Sequence, residues 1–101
     1  MTAALEVRLS PESGEAIRTL HPDATRKVRA AIDAIAVDPS LGDDLIDELE
    51  GMRRIRVGRL RVIYRISGRI SEVLAIGRRA TIYVDLAVRL RRDRAIRRRA
   101  R

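Results

Sequence analysis

Three short runs in the middle of this chain alternate apolar and polar residues, and only tight turns separate them. The runs cover residues 53–57, 60–67 and 70–76, with Gly58 after the first and Ser67-Gly68 after the second. Alternation with a period of two is typical of half-buried strands, and short glycine-containing connections are typical of β-hairpins. The pattern predicts three consecutive antiparallel strands, which form the centre of the fold.

An N-terminal strand and two helices are predicted before these strands. Residues 4–9 alternate apolar and polar side chains, and Ser10-Pro11 is a helix-start signal with serine as the N-cap. His21-Pro22 separates this short helix from a second one that runs to about Val37. The second helix has an apolar stripe at helical spacing, formed by Val28, Ala31, Ile32 and Ile35. The two helices predict a hairpin that covers one face of the sheet.

The segments around the strands are less regular. Residues 41–51 form an acidic connector, in which Leu45 and Leu49 lie four residues apart and predict one or two helical turns. Residues 81–84 predict a short strand, and the sequence from Asp85 onward is compatible with a very basic helix.

The expected fold class is α+β. An N-terminal strand and a helix hairpin pack on an antiparallel sheet of about four strands, and a basic C-terminal helix follows. The length suits one domain over residues 1–101, with residues 86–101 as the basic helix or tail. The second face of the sheet is expected to stay partly open.

Composition excludes several classes of protein. There is no cysteine and only one histidine, His21, so disulfides, cysteine or two-histidine metal sites and a paired-histidine ribonuclease are excluded. We expect neither a metal nor another cofactor. No apolar run approaches the roughly 20 residues of a membrane span, and the N-terminus lacks the pattern of a signal peptide. A cytoplasmic protein is the expectation.

The formal net charge of +8 is unevenly distributed. Residues 1–52 carry 5 basic and 11 acidic side chains, whereas residues 53–101 carry 17 basic and 3 acidic ones. This asymmetry indicates a half that binds polyanions. Lys27 is the only lysine, which fits either selection for arginine chemistry or a GC-rich genome. Without Phe or Trp, bases would stack on Tyr64, Tyr83 or arginine planes.

The basic strands predict a phosphate-binding surface. Alternation places Arg54 and Arg56 on one face of their strand, and Arg61 projects from the corresponding face of the next strand. Rigid guanidinium groups bind phosphate well, so RNA is the first partner to consider. Seven arginines lie at the two ends of the segment from Gly51 to Tyr83: Arg53, Arg54, Arg56, Arg59, Arg61, Arg78 and Arg79.

In the order and spacing of its motifs, the chain resembles the RelE/ParE toxin superfamily of bacterial type II toxin–antitoxin modules. The resemblance extends from the first strand to Tyr83. It rests on a Leu-x-Gly element, a basic strand, a Gly-x-x-Arg-hydrophobic-hydrophobic-Tyr strand and a Gly-basic-Arg…Tyr ending. Here these are Leu49–Gly51, Arg54–Arg56, Gly58–Tyr64 and Gly77–Tyr83. The resemblance implies a RelE-like fold.

The resemblance also implies two possible activities. RelE-like members cut messenger RNA in the ribosomal A site, whereas ParE-like members inhibit DNA gyrase without catalysis. Position by position, the RelE-like catalytic roles fall on five residues, and a suitable side chain at each favours the ribonuclease branch: Arg54, Arg56, Arg61, Arg79 and Tyr83. The implied partners are the ribosome with its mRNA, or gyrase in the alternative, and a cognate antitoxin in a hetero-oligomer.

The ribonuclease interpretation assigns each residue a task. Arg61 and Arg79 would clamp the scissile phosphate, and Tyr83 would remove the proton of the ribose 2′-OH, since neighbouring guanidinium groups favour a phenolate. Arg54 or Arg56 would stabilise charge or orient the 5′-oxygen. Arginine is a poor proton donor, so a water or a ribosomal group would supply the leaving-group proton.

The match has departures, and simpler interpretations stay open. Basic-strand positions that often hold lysine are arginine here, and Leu60 replaces a common aromatic residue. The arginines are also compatible with a solvated sheet face, and Tyr83 with packing at a strand end. A degenerate toxin that binds only antitoxin or RNA is a third possibility.

Four further arginines are predicted to contact RNA or the ribosome: Arg53, Arg59, Arg65 and Arg78.

Overall fold

The framework of the protein is a five-stranded mixed sheet, seen in a computed structural model that describes residues 4–99. The strand order is β1-β5-β4-β3-β2, with β1 parallel to β5 and the other pairs antiparallel. The α+β prediction is confirmed, and the central hairpins lie where the alternation predicted them. The strands are β1 Glu6–Leu9, β2 Asp43–Asp44, β3 Arg53–Val57, β4 Leu60–Ser67 and β5 Ile70–Arg78.

Three α-helices accompany the sheet: α1 Pro11–Thr19, α2 Pro22–Val37 and α3 Ile82–Arg99. The predicted start of α1 is confirmed, because the Ser10 side chain accepts a hydrogen bond from the Ser13 N–H and Pro11 is the first helical residue. His21 caps α2 in the same way, through Nδ1 and the Asp23 N–H. Within residues 4–99, no helix has the length and apolar character needed to cross a membrane.

The helix hairpin covers one face of the sheet, as predicted. Ile17 of α1 and Val28 and Ile32 of α2 are buried against strand residues that alternate onto this face. The strand residues are Val62 of β4 and Val73 and Ile76 of β5. The period of two in the strands and the apolar stripe of α2 therefore meet in one core layer.

The first half of α3 covers part of the opposite face, which corrects two predictions. Ile82 and Leu86 are buried against Ile63 and Leu74, so the face expected to stay open holds a second core layer. The strand predicted over residues 81–84 is wrong, because Ile82 begins a helix whose apolar residues recur every four positions. Four alternating residues were too few to distinguish a strand from this helical stripe.

The acidic connector differs from its prediction as well. Asp43–Asp44 forms β2 and pairs with Arg54 and Arg53 of β3, which gives the sheet one strand more than the expected four. The predicted helical turns reduce to a 3-10 turn over Asp47–Leu49, with a second at Pro39–Leu41. Aspartate is rare in strands, so opposite charges across the two strands outweigh local propensity here.

Candidate functional site

Strands β3 and β4 place three arginines side by side on the face that α3 partly covers. Arg56 and Arg61 are directly opposite each other across the two strands, and Arg61 faces Gly77 of β5 on its other side. Arg54 lies two residues before Arg56 and therefore projects from the same face. We call Arg54, Arg56 and Arg61 the arginine row. Sheet register thus brings three of the five predicted catalytic residues together.

Arg54 is joined to Tyr83 by a direct hydrogen bond. Its Nη1 donates to the Tyr83 hydroxyl over 3.1 Å, and its Nη2 lies 3.6 Å from a carboxylate oxygen of Asp43. The hydrogen bond to Tyr83 is the main cause that raises the pKa of Arg54, and the charge of Asp43 adds to it. The guanidinium is therefore held between a phenol and a carboxylate.

Arg61 is buried at the turn between β3 and β4. Only 8% of it is exposed, and its Nη1 donates to the carbonyl oxygens of Gly58 at 3.1 Å and Leu60 at 2.9 Å. Its Nε is buried and makes no hydrogen bond within residues 4–99. The same is true of the Nε of Arg54. Two buried cationic donors thus lack a partner among the described residues.

Tyr83 and Arg79 lie at the junction between β5 and α3. Tyr83 is half-buried in the first turn of α3 and packs at the margin of the core that contains Leu86. Arg79 is exposed in the turn, two residues after Gly77, and makes no ion pair or hydrogen bond among the described residues. Arg79 is thus near the arginine row in the sheet, because its neighbour Arg78 pairs with Leu60 of β4, but among the described residues it forms no hydrogen bond with the other four predicted catalytic residues.

The four additional arginines predicted to bind RNA are distributed around the molecule. Arg53 donates to the Gly42 carbonyl oxygen over 2.9 Å and pairs with Asp44 at 3.2 Å, so it fastens β2 to β3. Arg65 pairs with Glu72 at 3.2 Å toward the far end of β4. Arg59 and Arg78 line a groove beside the turn between α1 and α2. None of the four extends the arginine row.

Asp43 is a member of this constellation that the sequence reasoning missed. It stood among five acidic residues of a connector, and nothing in its spacing distinguished it from a solvated loop residue. Its approach to Arg54 depends on the pairing of β2 with β3, which is a tertiary feature. In the part of the chain that is described, no group of three histidine, aspartate or glutamate side chains is placed to hold a metal ion.

Comparison with known proteins gives one family match. Residues 12–83 match the family described as the ParE toxin of the type II toxin–antitoxin system, parDE. No curated protein matches the chain.

Several solved structures share the fold. A chain from the RelBE2 toxin–antitoxin complex of Mycobacterium tuberculosis is 25% identical, with a TM-score of 0.69 over 76% of this chain and all of that chain. A free RelE variant from E. coli gives 13% identity and a TM-score of 0.71 over 86% of this chain and 97% of that one. A chain from the ParDE system of P. aeruginosa is 12% identical, with a TM-score of 0.60 over 74% of this chain and 96% of that chain. The fold of this chain is therefore shared by chains from RelBE, RelE and ParDE structures.

Proposed function

This chain belongs to the ParE toxin family of type II toxin–antitoxin systems, within the RelE/ParE superfamily, and we propose that it is a ribosome-dependent mRNA endonuclease. In this proposal residues 1–101 act as one domain in the cytoplasm, and a cognate antitoxin holds the toxin inactive in a hetero-oligomer. Solved relatives are themselves toxin–antitoxin complexes, which supports such a partner.

The observation that carries the proposal is the hydrogen bond from Arg54 to the Tyr83 hydroxyl beside the Arg56–Arg61 pair. RNA cleavage without metal needs a group that takes a proton from the ribose 2′-OH and cations that stabilise the charge developing on phosphorus. The Tyr83 hydroxyl, held in place by its hydrogen bond from the Arg54 guanidinium, is the group positioned to meet the first requirement. The neighbouring arginines supply the second.

The proposed steps follow from these positions. Tyr83 acts as the general base and takes the 2′-OH proton, and the 2′-oxygen attacks phosphorus while the bond to the 5′-oxygen breaks. This gives a cyclic phosphate and a free 5′-hydroxyl, whose proton comes from water or a ribosomal group. Arg61 and Arg79 would bind the phosphate oxygens. The ribosome would position the RNA, so naked RNA should be cut slowly.

Gyrase inhibition is the second candidate, and the bonding of Arg61 favours it. Its Nη1 bonds to two carbonyl oxygens of the β3–β4 turn, which is how a purely structural arginine would behave. In this case the arginine row stabilises the sheet or contacts gyrase, and Tyr83→Phe would leave toxicity unchanged.

The two candidates differ in the process that stops first in cells. We would express the wild type, Tyr83→Phe and Arg69→Ala from an inducible promoter and follow incorporation of labelled amino acids and labelled thymidine. Arg69 is exposed in the turn between β4 and β5, so its substitution is a matched surface control.

The ribonuclease proposal expects amino-acid incorporation to stop first in the wild type and the control, and to continue in Tyr83→Phe. A general base typically contributes about 10²–10⁴-fold to a rate, so the phenylalanine variant should be essentially non-toxic. Early loss of thymidine incorporation in all three strains would instead establish gyrase, or replication generally, as the target.

A further inference from the structure

The helix α3 extends well beyond the core that holds its first half. Leu86 is 1% exposed and Leu90 is the last residue that packs against the core, whereas residues 91–99 are all exposed. The apolar side chain of Ile96 is 66% exposed, so no hydrophobic contact explains this extension. At 1.5 Å per residue it projects about 14 Å from the last packed turn. We call residues 91–99 the arginine arm.

The arginine arm is highly charged and poorly neutralised. Six of its nine residues are arginine, and Asp93 is its one acidic residue. Arg91 lies 3.7 Å from Glu48, at an exposed ion pair. Within residues 4–99, the other five arginines form no ion pair and no side-chain hydrogen bond: Arg92, Arg94, Arg97, Arg98 and Arg99.

Intrahelical energetics do not account for so many like charges. Arginines at i, i+3 and i, i+4 repel each other, as Arg94 does with Arg97 and Arg98, at about 0.2–0.5 kcal/mol per pair. The C-terminal end of the helix dipole attracts cations but acts only within the last turn. A polyanion along the arginine arm would relieve this repulsion.

Helical spacing connects the arginine arm with the candidate site. Counting 100° per residue, Tyr83, Leu90, Arg94 and Arg98 follow one stripe of α3, and Tyr83 and Arg98 are separated by about 22 Å along the axis. Leu90 packs against the core, so a phosphate chain that reaches the Tyr83 hydroxyl would pass beside this stripe and meet the exposed Arg94 and Arg98 beyond it.

We propose that the arginine arm binds the phosphate backbone of RNA and holds the strand that Tyr83 and Arg54 engage. This rests on the proposed function, because it names how the RNA substrate is retained. The arginine side chains would bind the phosphates through charge and through paired hydrogen bonds from each guanidinium group to the phosphate oxygens. Such contacts carry no preference for particular bases.

The test compares two fourfold variants of equal net charge in a Tyr83→Phe background, so that no RNA is cleaved. The arm variant carries Arg92→Gln, Arg94→Gln, Arg98→Gln and Arg99→Gln. The control variant carries Arg8→Gln, Arg18→Gln, Arg29→Gln and Arg69→Gln, all at exposed positions outside the candidate site. Binding of a fluorescent RNA hairpin and of a DNA hairpin of the same sequence is measured across salt concentrations, and circular dichroism checks folding.

We expect the arm variant to bind RNA on the order of tenfold more weakly. We also expect the slope of log K against log salt to become shallower by about 0.7–0.9 for each phosphate that the protein no longer neutralises. The control variant should keep both values. Equal weakening in the two variants, unchanged RNA binding by the arm variant, or weakening confined to the DNA hairpin would overturn the proposal. The proposal would also be overturned if the arm variant still bound RNA but no longer retained a co-expressed antitoxin. Cutting of mRNA in the ribosomal A site is measured separately. Failure of the ribonuclease proposal is therefore distinguishable from failure of the proposal that the arginine arm binds RNA.

Discussion

Gly42 lies where even one methyl group has no room, and this allows a sharp stability prediction. A Cβ built at Gly42 would lie 2.5 Å from the Tyr64 hydroxyl oxygen, 2.8 Å from its Cε1 and 2.9 Å from the Arg54 carbonyl oxygen. The Tyr64 side chain is fully buried. Its hydroxyl donates to the Pro39 carbonyl oxygen over 2.6 Å and accepts from the Gly42 N–H at 2.9 Å. Gly42→Ala must therefore displace a buried ring or the strand that carries Arg54.

The magnitude combines two effects. Forcing a methyl group into a well-packed interior costs about 1–3 kcal/mol, and each broken hydrogen bond costs about 0.5–1.5 kcal/mol. We expect Gly42→Ala to lower the free energy of unfolding by about 2–4 kcal/mol. Tyr64→Phe alone should lower it by about 1–3 kcal/mol, because the buried Gly42 N–H loses its acceptor.

The double variant distinguishes steric conflict from general loosening. Tyr64→Phe removes the atom closest to the new methyl group and both hydrogen bonds, so the double variant should be at least about 1 kcal/mol more stable than the sum of the single effects predicts. Urea denaturation of all four proteins measures this coupling. Gly14→Ala is the matched control: nothing lies within 4 Å of a Cβ there, and the helical position should gain about 0.4–1 kcal/mol. Additive effects within about 0.5 kcal/mol would refute the steric argument.

Three further predictions concern the Tyr64 hydroxyl, Leu86 of α3 and the ion pair between Asp43 and Arg54. Burial raises the pKa of Tyr64 above its ordinary value near 10. The contribution of Tyr64 to the free energy of unfolding should therefore be fully present below about pH 10 and be lost as pH rises toward the pKa of the folded state. Urea midpoints of Tyr64→Phe, measured across the same pH range, should lack this part of the fall. Leu86→Ala, at a 1% exposed site, should cost about 2–5 kcal/mol and increase hydrogen exchange along α3; a cost below about 1 kcal/mol would contradict its role as anchor. Asp43→Asn should change the free energy of unfolding by less than about 1 kcal/mol, because its carboxylate is exposed. It should also strengthen binding of an RNA hairpin by freeing Arg54, and weaker binding would contradict this competition.

Much of the scaffold was predictable because local signals agreed with one another. Ser10-Pro11 began α1 as expected, and β3 and β4 have the predicted bounds. Alternation also placed Arg54, Arg56 and Arg61 on a common face, where the register shows them. Each of these features depends on neighbours within a few residues or on one short hairpin.

Features that depend on distant contacts were not predictable in the same way. The four residues from Thr81 to Val84 alternate like a strand, yet Ile82 enters a helix because it and Leu86 bury against β4 and β5. Asp43 forms part of a strand that pairs with β3, where it lies opposite Arg54. Such choices are made by tertiary packing and by charge pairing, which no local window contains.

The central proposal is that Arg54 and Tyr83 cut ribosome-bound mRNA, and primer extension on a reconstituted translation reaction tests it most directly. Purified wild type, Tyr83→Phe, Arg79→Ala and the surface control Arg69→Ala would be added to ribosomes that translate a mapped mRNA. The proposal predicts in-frame cuts at the A site with the wild type and the control, and their absence in the other two variants. Intact mRNA at normal protein yield with the wild-type toxin would contradict it, and inhibition of gyrase supercoiling by the same samples would then assign the ParE-like activity.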